Sequence, residues 1–254
     1  MKEADNLFKE IYKRAENDKG ILGLFFEGSR GKGRVNKYSD YDIRLIVSNG
    51  MSKKYEKMFD KFEAKGDMDI GTLDINQLRV YAEFGSPEEW ERYSFAHVKV
   101  LIDKTGKLQR IIDEKSKIPR KILKKYVSGN MDGYINGVYR SVKCFRNKNY
   151  SGVLLEATYS IPLLLNVLFA IDGRRIKPYF DYLEWELEKF PLEKFSINSK
   201  ELLKLILDIL KDGNLKSQQR LFTATEKLLR QNNYAKVLDS WKVENINLIK
   251  NFKG

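Results

Sequence analysis

The chain has one cysteine and one histidine, Cys144 and His97, and that scarcity removes much of the usual chemistry. A lone thiol excludes an internal disulfide and a cysteine-rich zinc site. A lone imidazole excludes most histidine-based metal and triad chemistry. Cys144 is expected to be an inert thiol, and His97 a structural residue in a strand beginning at 97. No run of about 18 apolar residues is present, so no transmembrane helix is expected. The opening residues Met1-Lys2-Glu3-Ala4-Asp5 are charged and lack the apolar core of a signal peptide. There is no internal repeat, low-complexity stretch, RGG tract, zinc-finger spacing or long basic tail. The expectation is a soluble cytoplasmic protein with no membrane partner.

What is present is a chain of 254 residues, 42% hydrophobic, enough for one large or two modest domains. The net charge of +12 is unevenly placed. Residues 1–118 hold 23 Lys/Arg against 21 Asp/Glu, a balance of +2, and the remainder holds 24 against 14, a balance of +10. A basic half can meet nucleic acid or another polyanion. A lysine-rich solvated helical surface explains the same numbers equally well.

Apolar periodicity divides the chain in the same place. Leu7, Phe8, Ile11, Tyr12 and Ala15 recur at helical spacing, so 3–17 reads as an amphipathic helix. A strand over 21–27 follows, then a turn, a basic loop and a second strand from about 40. Residues 51–64 read as a helix, 67–74 as a strand, 75–84 as a helix and 97–103 as a strand. This order predicts a small mixed sheet with helices on one side. Ser116-Lys117-Ile118-Pro119 reads as a linker, since proline suits a helix's first turn. Beyond it, helices are expected near 119–127, 131–147, 150–171, 178–188, 198–211, 216–231 and 234–250. The fold expected is therefore α+β: a domain over 1–118 with a mixed sheet, and an all-helical domain over 119–254.

The segment Gly28-Ser29-Arg30-Gly31 to Ser39-Asp40-Tyr41-Asp42-Ile43 carries the chemistry. A glycine–serine turn leaves one apolar run, and about ten residues later Asp-x-Asp opens another. Strand residues two apart share a face, so Asp40 and Asp42 place two carboxylates side by side. Tyr41, Ile43, Leu45 and Val47 then face the other way, where helices can cover them. Adjacent carboxylates repel unless a cation bridges them, and hard oxygen donors suit Mg²⁺ together with substrate phosphates. Small residues, backbone N–H groups and a hydroxyl in the preceding turn suit a phosphate. Arg30, Lys32, Arg34 and Lys37 flank the turn. Arg44 shares the face of Asp40 and Asp42, where it can pair with a carboxylate or reach a phosphate.

This spacing resembles the signature of the DNA polymerase β-like nucleotidyltransferase superfamily, across Gly28, Ser29, Asp40 and Asp42. The stretches Met68–Leu78 and Lys99–Gly106 are similar to the corresponding parts of the aminoglycoside 6-adenylyltransferases. The motif-supported resemblance covers roughly residues 20–110; beyond it there is a general likeness to the helical second domain of antibiotic and minimal nucleotidyltransferases. The resemblance implies a palm-like first domain and a third carboxylate on a later strand, best matched by Asp69, with Asp67 as an alternative on the same strand face. Asp74 has the opposite parity and is expected to begin a loop or helix. Asp103 reads as a tight turn. The implied metal set is Asp40, Asp42 and Asp69 with two Mg²⁺ ions, and the implied nucleotide contacts are Gly28, Ser29, Arg30 and Arg44.

The resemblance also implies a carboxylate outside this set as general base. Glu156, in Val153-Leu154-Leu155-Glu156-Ala157-Thr158-Tyr159, resembles it in kind, inside an almost wholly apolar helix. The competing reading is an ion pair with Arg140, Lys143 or Arg146. A basic and aromatic cluster, Arg174, Arg175, Lys177, Pro178, Tyr179 and Trp185, can stack on a base but is better read as helix packing. The expected activity is transfer of a nucleoside monophosphate from an NTP, ATP on grounds of resemblance, to a hydroxyl of a small molecule such as an antibiotic. The alternatives are an RNA or tRNA end, a protein side chain, or a degenerate nucleotide-binding regulatory module.

Overall fold

The computed structural model describes residues 2–63 and 68–253. The chain divides into two compact units, Met1–Lys117 and Ile118–Gly254. It is α+β, with a four-stranded mixed sheet in the first unit and helices throughout the second.

The first unit opens with helix α1, Lys2–Asn17, whose acidic first turn (Glu3, Asp5) and basic last turn (Arg14) complement the helix dipole. Strand β1, Ile21–Phe26, leads into the single-turn helix α2, Gly28–Gly31, and then strand β2, Tyr41–Val47. Helix α3 spans Ser52–Glu63, strand β3 Met68–Asp74 and helix α4 Ile75–Val80. A 3₁₀ segment, Glu89–Phe95, strand β4, Val100–Asp103, and helix α5, Leu108–Lys115, complete the unit. The sheet order is β3-β2-β1-β4: β2 runs parallel to β3, and β1 antiparallel to both β2 and β4.

Strand β2 alternates as its sequence demands. Tyr41, Ile43, Leu45 and Val47 are buried in one core with Ile11 and Ala15 of α1 and Phe59 and Phe62 of α3. Ile46 points the other way, into a second core with Phe25, Leu78, Phe95, Leu108 and Ile112. The expectation of helices on one side of the sheet is thus corrected: α4, the 3₁₀ segment and α5 cover the second face. Phe25 and Ile46 lie on that face, and leaving them in water would forfeit their hydrophobic stabilisation. Gly23 makes this cover possible, because a Cβ there would collide with Leu108 of α5. A register shift between Ile21 and Gly23 lets Ile21 and Leu24, three apart, serve the same core.

Two smaller expectations also change. His97 is not in a strand: it is exposed in the loop before β4 with φ of 63°. The predicted helix over 75–84 ends at Val80, and residue 64 of the predicted 51–64 helix lies outside the described residues.

In the second unit α6 runs unbroken over Arg120–Arg146, where a break was expected near 128–130. Gly129 stays helical, and Asn130 donates its amide to Tyr126 O while accepting from Asn166 of the next helix. That helix, α7, spans Tyr150–Ile171. Gly137 allows close approach of α6 and α7, since a Cβ there would press on Ser160. Helices α8 (Phe180–Lys189), α9 (Ser199–Asp212) and α10 (Leu215–Gln231) follow. The predicted final helix divides into α11, Lys236–Asp239, and α12, Val243–Asn251. By length and composition α7 could cross a membrane, yet more than half of its most apolar window is buried within the protein, as in a core helix.

Candidate active site

The parallel register of β2 and β3 sets Asp42 directly beside Asp69. On β3, Met68 and Ile70 point into the α1/α3 core, so Asp69 points out on the same face as Asp42 and is exposed. On the other side of β2, pairing with β1 runs to Phe26 opposite Ile43 and continues one step, with the Glu27 amide donating to Asp42 O at 2.9 Å. Glu27 therefore stands opposite Asp42. Three carboxylates, Glu27, Asp42 and Asp69, form a row across three strands, with Asp40 just before β2.

The charge of this row shows in Asp42. Burial, then Asp40, Asp69 and Glu27, push its carboxyl up to about 6, against a smaller downward pull from Lys32. Lys32 is buried, donates to Ser94 O at 3.2 Å and lies 4.8 Å from the Tyr93 ring centre.

Gly28 turns the chain beside Asp42. It has φ of +50°, and a Cβ would collide with Asp42 Oδ2, so the position demands glycine for conformation and for space. Ser29 follows, partly buried in α2. Arg30, expected as a nucleotide contact, is engaged within the protein. Its Nε donates to Asp40 O at 2.7 Å and its Nη2 to Ser39 O at 3.2 Å, and the guanidinium stacks 3.6 Å from the Tyr41 ring centre. It ties down the end of the basic loop and fixes the backbone of Asp40.

Of the two roles open to Arg44, the structure takes the ion pair, with a partner the sequence reading did not single out. Arg44 Nη2 meets Glu27 Oε2 at 2.7 Å, and Nε meets the same oxygen at 3.2 Å. Burial opposes the Arg44 charge, but Glu27 prevails and raises it above its ordinary value. The guanidinium lies 5.2 Å from the Tyr81 ring centre, and Tyr81 in turn donates to Glu91. It also crosses Gly71, its register partner on β3, where a Cβ would collide with Arg44 Nη1. The signal for Glu27 was available: a carboxylate directly before a Gly-Ser turn, brought opposite Asp42 by any antiparallel pairing of the two apolar runs.

Other acidic residues fall outside the row. Asp67 lies outside the described residues. Asp74 caps α4, accepting from Asn76 and Gln77 amides at 2.9 Å and from Gly50 at 3.0 Å, and these bonds, Gln77 first, hold its carboxyl below the usual range. Asp103 makes the expected turn, accepting from Thr105 and Leu108 amides. Among the described residues no group of three or more His, Cys, Asp and Glu side chains is placed to hold a metal ion.

In the helical unit Glu156 accepts from Arg140 Nε at 2.6 Å. Its side chain is 22% exposed, beside exposed Leu155 and Tyr159, so it is not the deeply buried carboxylate that the apolar helix suggested. In the 174–190 cluster, Arg175 pairs with Asp172 and with buried Glu186, and Tyr182, Trp185 and Phe190 meet edge to face, which is packing. A groove of about 570 Å³ bounded by Leu187, Phe195 and Leu202 contains none of the predicted site residues. No protein-family model matches the chain, and no curated protein does.

Proposed function

We propose that the chain is a Mg²⁺-dependent nucleotidyltransferase, with a palm-like first domain and a helical domain that selects the acceptor. The observation that carries this reading is the register of Asp42 beside Asp69, immediately behind a glycine turn that accommodates no side chain. The donor set fits Mg²⁺ in kind, being hard carboxylate oxygens whose mutual repulsion a divalent cation relieves. Asp40, Asp42 and Asp69 would hold it. Bound there, the ion supplies charge neutralisation at the phosphates and Lewis acidity toward the acceptor oxygen.

The chain's own residues do the rest. The Gly28–Ser29 turn seats the triphosphate, with the Ser29 hydroxyl donating to a phosphate oxygen. Arg30 keeps Asp40 in place by its two backbone bonds. The acceptor hydroxyl oxygen attacks the α-phosphorus, the bond to the β-phosphate oxygen breaks, pyrophosphate leaves, and the hydroxyl proton passes to a general base, a role that the resemblance offers to Glu156. Little covalent work is asked of the protein beyond holding these groups in line.

ATP is the donor favoured by the resemblance, and a small hydroxylated molecule is the favoured acceptor. The +10 balance of the second half supports a second reading, in which the acceptor is an RNA end or an acidic protein segment, and disfavours a polycationic antibiotic. Incubation with labelled NTPs, Mg²⁺ and cell extract divided into small molecules, RNA and protein tests both. Label in the small-molecule fraction supports the first reading, and label in RNA or protein the second. No Mg²⁺-dependent label in any fraction overturns the transferase assignment.

A further inference from the structure

Glu27 is more than the partner of Arg44. Its residue surface is 9% exposed, and only Oε2 is used by the guanidinium. Oε1 is buried with no hydrogen-bond partner among the described residues. A buried carboxylate oxygen is an acceptor that demands a donor or a cation. The neighbours that the strand pairing gives it on this face are Asp42 and, beyond, Asp69, which offer neither when ionised. Arg44 is itself held by Gly71 and Tyr81, so the carboxylate cannot turn away without breaking that stack.

Resting on the metal-site reading above, we infer that Glu27 is a positioning residue of the cation site. Its Oε1 accepts a hydrogen bond from water in the shell of a divalent cation held by Asp42 and Asp69, and Arg44 fixes its orientation. The ligand chemistry is that of a hydrated hard cation, Mg²⁺ or Mn²⁺. Outer-shell partners of this kind change metal affinity by about 10–100-fold when removed.

The test uses Mn²⁺ alone, titrated into the full chain without nucleotide and followed by electron paramagnetic resonance, for the wild type, D42N, E27Q and the double variant E27Q/R44Q. E27Q leaves the Arg44 charge uncompensated, so chemical denaturation is measured alongside, and Mn²⁺ is titrated where each variant is folded. The double variant removes both charges and restores the balance. The expected result is loss of binding in D42N and a dissociation constant raised about tenfold or more in E27Q. In E27Q/R44Q stability should recover while affinity should not. If affinity returns with stability in the double variant, or if E27Q binds as the wild type does while D42N does not bind, Glu27 serves only Arg44 and this inference is overturned with the metal site intact. A wild-type chain that takes up no Mn²⁺ overturns the metal-site reading itself, and this inference with it.

Discussion

Two of the chain's glutamate–arginine pairs are nearly equal in length and unequal in consequence. Glu27 and Arg44 meet at 2.7 Å with side chains 11% and 13% exposed, across two strands and under an aromatic ring. Glu156 and Arg140 meet at 2.6 Å with side chains 22% and 59% exposed, across two helices. Distance alone does not rank them. In the sheet, both charges are desolvated, and each is tolerable because the other is there. On the helices, water screens the arginine, and the pair contributes little to stability. The Glu156 pair is open to water on its arginine side, whereas Glu27 is locked to its guanidinium.

The carboxylates around these pairs supply the largest expected effects. If the proposed transferase reading holds, Asp42→Asn and Asp69→Asn should each lower nucleotidyl transfer to below roughly one per cent of the wild-type rate, since the proposed metal site loses a charge while the apolar face of each strand is untouched. Wild-type turnover with retained circular dichroism would remove the metal assignment. Glu156→Gln should lower turnover by roughly 10²–10⁴ with nucleotide affinity unchanged if the carboxylate is the base. Undiminished turnover would reduce it to a surface ion-pair member.

Stability separates the pairs more sharply. Arg44→Met leaves Glu27 charged, buried and alone, and should destabilise the chain by about 3–5 kcal/mol in urea titrations. Arg140→Met should cost about 0.2–1 kcal/mol in the same assay. Equal losses would break the contrast between sheet and helix pairs. Lys115 adds a dependence on pH: it is buried, donates to Tyr81 O and is pushed down to about 8, chiefly by burial and then by Arg92. Its folded value lies below its ordinary 10.5, so above pH 8 the native chain releases a proton that the unfolded chain keeps. Stability should therefore rise from about pH 8 toward pH 10, and Lys115→Met should flatten that slope in denaturation curves.

How much was legible in the sequence follows from which interactions are local. The alternation of Tyr41, Ile43, Leu45 and Val47 specified a buried face without any knowledge of its partner. Asp74 and Asp103 were readable as turn and cap residues because the amides that donate to them lie within a few positions. Glu27 was missed because its importance arises only from strand pairing, which brings residue 27 opposite residue 42. The second cover of the sheet was missed because Gly23, which admits Leu108, gives no sign in sequence of the space it leaves for a helix 85 residues later. Gly129 misled in the opposite direction, since its neighbour Asn130 spends its amide on the helix and on Asn166.

The order β3-β2-β1-β4 leaves Asp69 on an edge strand, while Asp42 lies on a central strand and Glu27 directly follows the other central one. Edge strands open at lower free energy than the sheet's interior, so the three carboxylates do not share one lifetime. Amide protons of β3 should exchange with solvent earlier than those of β1 and β2. During each such opening the row shrinks from three charges to two, and a cation bound at the proposed site would lose one carboxylate without global unfolding. The residence time of the ion would then be governed by the fraying of one strand.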